Sequence, residues 1–106
     1  MLLARKTFTL GDTVQWTVDY REQPATDLFT IPSAFPVRDG DSITTATVVS
    51  NLVDVTVGTV TVYEGHKVVF LLSGASINEV FTLTVVVHTD NSEVFTDTIL
   101  FTVVNP

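Results

Sequence analysis

Glu79-Val80-Phe81-Thr82-Leu83-Thr84-Val85-Val86-Val87-His88-Thr89 decides the fold class. Phe81, Leu83, Val85 and Val87 point one way and Thr82 and Thr84 the other, the period-two alternation of a strand with one buried face. Three residues on, the next alternating run (93–104) directs Phe95, Ile99, Phe101 and Val103 inward. Asp90-Asn91-Ser92 joins the two as a hairpin, because Asn and Asp tolerate positive φ. Outward from this hairpin the composition stays the same: 19 valines and 18 threonines in 106 residues suit a pleated, half-buried surface better than a helix.

Further strands follow from the same pattern. Residues 7–10 end at Gly11-Asp12, and residues 13–20 alternate Val14, Trp16, Val18 and Tyr20 against Thr13, Gln15, Thr17 and Asp19. Residues 42–50 form another strand. Residues 53–57 and 59–63 are split by Gly58, which marks a bulge or a bend within one strand. Glu64-Gly65-His66 reads as a tight turn, and residues 67–72 place Val68, Phe70 and Leu72 on one side before Ser73-Gly74-Ala75-Ser76 breaks the run. About seven strands near ten-residue spacing, with no amphipathic helix between them, predict an all-β fold: an immunoglobulin-like antiparallel β-sandwich, with an open barrel as the alternative. Trp16 is the expected core anchor, and its indole N–H needs an acceptor.

Length allows one domain, 1–106, with one modest core. Twelve acidic and five basic residues leave a net charge of −7, which repels phosphate backbones and anionic lipid and points to protein partners rather than nucleic acid or membrane. The start Met1-Leu2-Leu3-Ala4-Arg5-Lys6 lacks the basic opening and long apolar run of a secretory signal, and cysteine is absent; the expectation is folding inside a cell.

The connection 21–41 breaks the rhythm. It carries Pro24, Pro32 and Pro36 with Phe29, Ile31 and Phe35, and either folds over an open end of the core or docks another subunit. Outward Val49, Val86 and Leu100, set among threonines, complete the candidate partner interface with Phe29, Ile31 and Phe35.

No catalytic, cofactor or metal constellation emerges. His66 sits in a turn and His88 on a threonine face, each read as solvated or locally bonded, with no second histidine at ligand spacing. Asp39-Gly40-Asp41 opens like a calcium loop but lacks the later ligands, and two aspartates without a cleft do not make a glycosidase. A non-enzymatic role is expected.

Leu10-Gly11-Asp12-Thr13, Trp16-Thr17-Val18-Asp19-Tyr20 and Gly40-Asp41-Ser42-Ile43-Thr44-Thr45-Ala46-Thr47-Val48 resemble the front half of small immunoglobulin-like virion proteins of tailed bacteriophages. The back half is similar too, in Val69-Phe70-Leu71-Leu72-Ser73-Gly74-Ala75, the strand from Val80 to Asn91, and the last strand from Phe95 to Val103. Ala75 stands for a second glycine, Phe81 for a tyrosine and Asn91 for a turn glycine, and the 21–41 connection is longer than the family's short link. The resemblance implies a non-catalytic adaptor between tail and fibres, or a decoration protein on the head. It also implies a homo-oligomer contacting other virion proteins, assembled in the bacterial host cytoplasm. The competing readings are an immunoglobulin-like adhesion or carbohydrate-binding module and, more remotely, a small hydrolase using Asp39 or Asp41.

Overall fold

The computed structural model describes residues 2–21, 29–33, 41–74 and 80–105. Among them there is no helix, and nine strands form two sheets packed as a β-sandwich. The strands are β1 (Leu2–Thr9), β2 (Val14–Asp19), β3 (Thr30–Pro32), β4 (Ile43–Ser50), β5 (Thr56–Val57), β6 (Thr61–Tyr63), β7 (Lys67–Ser73), β8 (Val80–Thr89) and β9 (Val94–Val104). One sheet runs β1-β9-β8-β4; the other runs β3-β2-β7-β5, with β6 also on β7. The order β2-β7-β5/β6 against β9-β8-β4 is that of the two sheets of an immunoglobulin-like sandwich.

The β8–β9 hairpin is the longest ladder, pairing Val80 with Thr102 through to His88 with Val94. Its inner residues follow the expected alternation: Phe81, Leu83, Val85, Val87, Ile99, Phe101 and Val103 are buried and Phe95 half-buried. The turn differs in detail. Positive φ falls on Ser92, at 65°, and not on Asp90 or Asn91. Ser92 donates its N–H to the Thr89 carbonyl and Thr89 to that of Glu93, a three-residue loop closed by a left-handed residue.

The core is aromatic at its centre. Phe101 stacks on Phe81 with centroids 5.1 Å apart and meets the edge of Trp16, from the opposite sheet, at 5.0 Å. Phe8 sits edge-on to both phenylalanines at 6.4 and 6.5 Å. Trp16 is 2 % exposed, the anchor its sequence position suggests, yet its indole nitrogen finds no acceptor among the described residues.

Several expectations are corrected. The sandwich is not wholly antiparallel, since β1 runs parallel to β9 and β3 parallel to β2. It has nine strands because short edge strands add to the seven. β1 starts at Leu2 and not at residue 7; an edge strand with a half-exposed face needs no clean alternation, so residues 2–6 gave no signal. The predicted strand 53–57 shrinks to β5, because residues 51–55 turn and Val53 is 96 % exposed. Gly58 does divide one edge: β5 and β6 both lie on β7, and Gly58 donates to the Leu71 carbonyl between them.

The 21–41 connection contains β3, whose Ile31 is fully buried beside Val18. Residues 22–28 and 34–40, with Pro24, Phe35, Pro36, Asp39 and Gly40, lie outside the described residues, as does Ala75.

Truncation of Phe101 removes the ring shared by both sheets. Phe101→Ala is expected to cost about 3–5 kcal/mol, while Val94→Ala, at an exposed position, stays within about 0.5 kcal/mol; urea unfolding of the two variants measures the contrast.

Candidate functional site

Two buried polar pairs interrupt the alternation, and both escaped the sequence reading. Asp97 lies on the inner face of β9 opposite Val85, where the pattern calls for an apolar residue, and is 2 % exposed. Tyr20, just past the end of β2, donates its hydroxyl to Asp97 Oδ2 at 3.0 Å across 77 residues of chain. Its ring stacks on Phe95 at 6.2 Å. Burial, and then the charge of Asp97 and the hydrogen bond to it, push the phenol well above its ordinary range, so Tyr20 is a permanent donor. Burial likewise raises the Asp97 carboxyl, opposed by the bond from Tyr20.

The second pair joins β2 to the β6–β7 turn. Glu64 and Gly65 take φ of 54° and 71°, His66 donates its backbone N–H to the Tyr63 carbonyl, and Tyr63 pairs with Lys67, so Glu64, Gly65 and His66 form a three-residue hairpin loop. That turn carries His66 inward, where its Nδ1 lies 3.1 Å from Asp19 Oδ1. A carboxylate only accepts, so the proton on that bond belongs to Nδ1. Asp19 also receives the backbone N–H of Arg21 at 3.0 Å, and the His66 carbonyl receives that of Tyr20 at 2.7 Å. His66 is therefore neither solvated nor locally bonded, as its turn position suggested; it is buried and paired with a residue 47 positions away.

Chemically the pair is a pin. Glu64 Oε2 stands 3.4 Å from Nε2 while Asp19 is on Nδ1, so the two carboxylates flank the ring and do not converge on one point. Nε2, where an activated hydroxyl would sit in a triad, has no hydrogen-bond partner among the described residues. Among the described residues no three His, Cys, Asp or Glu are grouped to hold a metal ion. Of the Asp39-Gly40-Asp41 turn only Asp41 is described. It accepts the N–H groups of Ser42 at 2.8 Å and Asn91 at 3.3 Å, tying the start of β4 to the β8–β9 loop. Desolvation works to raise its carboxyl, but hydrogen bonds from Thr89, Ser42, Asn91 and Asp90 outweigh it and the net shift is downward. His88 is exposed on the outer face, opposite Thr45 and Val94.

The sequence-predicted interface residues separate into three groups. Val49, Val86 and Leu100 share the outer face of the β1-β9-β8-β4 sheet, Val49 being 62 % exposed and the other two half-exposed. They do not touch as neighbours: Val86 is flanked by Thr47 and Thr96, Val49 lies beside Thr84, and Leu100 lies between Thr82 and Arg5. Phe29 is half-exposed at the start of β3, its ring 5.2 Å from Trp16. Ile31 is corrected: its side chain fills the core and offers nothing to a partner. Phe35 lies outside the described residues.

What alternation did not reveal about the outer face is its charge. Asp97 points inward and the other described acids sit in turns or in the second sheet, so among the described residues the four-stranded face carries no Asp or Glu. Its charged groups are Arg5 and, when protonated, His88.

No protein-family model matches the chain, and a search of curated proteins finds no match either.

Tyr20→Phe is expected to cost about 1–3 kcal/mol, because it leaves a buried carboxylate short of a donor. The pH dependence of Asp97 has a definite sign. A carboxyl whose pKa is higher folded than unfolded contributes stability that is complete below the unfolded value and is lost as pH rises through the folded one. Asp97→Asn, which keeps an acceptor for Tyr20, is therefore expected to gain stability relative to the parent on going from about pH 4 to pH 7. Denaturant titrations at both pH values measure it, and a relative loss over that interval contradicts the assignment.

Proposed function

We propose that the protein is a non-catalytic structural component of a tailed-bacteriophage virion, an adaptor joining tail and fibres, that packs through the outer face of the β1-β9-β8-β4 sheet. The observation that carries the reading is the composition of that face. The chain carries a net charge of −7, yet none of its described acids lies on this face, and the described residues form a broad, nearly uncharged surface of threonine and valine. Repulsion between like-charged subunits is weakest where the charges are fewest, so this is the face on which copies can meet.

Two further properties favour packing over catalysis. Threonines interrupt every apolar residue, so the free subunit stays soluble while the assembled face still buries methyl groups. Tyr20 with Asp97 ties the two sheets together across the core, and His66 with Asp19 fixes the β6–β7 turn against β2, so both buried polar pairs have a structural use. The biological setting of the proposal rests on the resemblance of short motifs to small immunoglobulin-like virion proteins alone, and repeated copies on a symmetric particle would multiply a weak individual contact. Localisation to the virion, after folding in the bacterial host cytoplasm, belongs to the same proposal.

Mass spectrometry of virions purified from the phage encoding this chain is expected to detect it, and a cryo-EM map to place it at the tail–fibre junction with the four-stranded face against a neighbour. Density on the capsid surface would instead make it a head decoration protein. Virions lacking the chain would refute both. Val49→Asp with Val86→Asp is expected to leave folding intact, within about 1 kcal/mol for two exposed sites, and to abolish incorporation.

A further inference from the structure

On the β1 side the two sheets leave a groove of about 230 Å³. Lys6, Thr7, Phe8 and Thr9 border it together. Consecutive residues of a strand point to opposite faces, so four in a row can line one cavity only if it runs along the strand's edge, within reach of the backbone. That edge is open: among the described strands β1 pairs with β9 alone. The opposite wall is built by Trp16, with Val14 and Phe29 beside it. Trp16 is the residue whose buried indole N–H lacks an acceptor among the described residues, a deficiency that a carbonyl brought into the groove would relieve.

We propose that this groove is a strand-addition site, in which an extended acidic segment of another protein pairs with the free edge of β1 and seats one bulky apolar side chain against Trp16. Backbone pairing supplies affinity and the pocket supplies selectivity in this mode of recognition. The size suits a single ring, since a cavity of roughly 150 Å³ already admits benzene. Charge selects the partner. Arg5 and Lys6 are adjacent on β1 and are two of only five basic residues in the chain. A second copy is disfavoured as the occupant, because antiparallel pairing of β1 with β1 sets these cations against each other. Asp12, at one end of the groove, opposes an acidic segment and so provides an internal control. The site lies on the sandwich edge and not on the outer sheet face, so it stands or falls apart from the virion reading.

The test is an NMR titration of the intact chain with the capped peptide Glu-Glu-Val-Phe-Val-Glu-Glu. Shifts are expected in the amides of Leu2–Thr9 and in the Trp16 indole N–H, with a dissociation constant of about 1 mM or tighter. Replacing the peptide's Phe by Ala is expected to weaken binding about tenfold, and N-methylating its central amides to abolish it. Arg5→Glu with Lys6→Glu should eliminate binding at an unchanged thermal midpoint, and Asp12→Asn should strengthen it severalfold. No indole shift at about 1 mM peptide, equal binding by the N-methylated peptide, shifts confined to the outer face of Val49 and Val86, or concentration-dependent dimerisation through β1 would each overturn the proposal.

Discussion

Phe101 is the point at which the two layers become one structure. Its ring lies flat on Phe81 within its own sheet and meets the edge of Trp16 from the other, so a single side chain couples the β8–β9 hairpin to β2. Aromatic pairs in these two geometries gain from the ring quadrupole as well as from burial. They belong to a cluster of 18 buried apolar residues among those described, which fills the inter-sheet space with side chains. A sandwich filled in this way must act through its faces and edges, and the functional proposals follow from that constraint.

The polar pairs answer a different need. Apolar packing between valine-rich sheets is tolerant of sliding, since one β-branched residue fits much like another. Tyr20 with Asp97 and His66 with Asp19 are not tolerant, because each leaves a buried donor or acceptor unsatisfied if its partner shifts. The first pair joins the end of β2 to the middle of β9, across the two sheets. The second fixes the β6–β7 turn against β2. Between them they specify which register of a repetitive sequence is the native one.

Period two made most of this legible. Wherever a strand has a neighbour on each side and one face buried, as in β8 and β9, alternation assigned the core side chains correctly. It put Asp19 on the polar face and left Asp97 unassigned for a physical reason: a carboxylate on a strand is ordinarily solvated, and only the distant His66 and Tyr20, 47 and 77 residues away, make burial tolerable. Edges were the other blind spot. β1, β3 and the shortened β5 are held by one neighbour each, so their residues need not alternate, and Ile31 looked like a loop anchor when it is part of the core. That no described acid lies on the outer face depends on which way Asp97 points, and so could be recognised only once the register was known.

The two flanks of the sandwich deal with their exposed edges differently. On one, β4 packs alongside β5 and β6, and strand edges from opposite sheets shield each other. On the other, β1 approaches β3 only lightly, and the groove remains. An eight-residue open edge is an invitation to uncontrolled pairing, which proteins commonly blunt with basic residues placed on the strand. Arg5 and Lys6 serve that purpose here by making β1 repel its own copy. The same two charges then attract whatever strand carries the opposite sign, so protection from self-association and preference for an acidic partner are one electrostatic property of one strand.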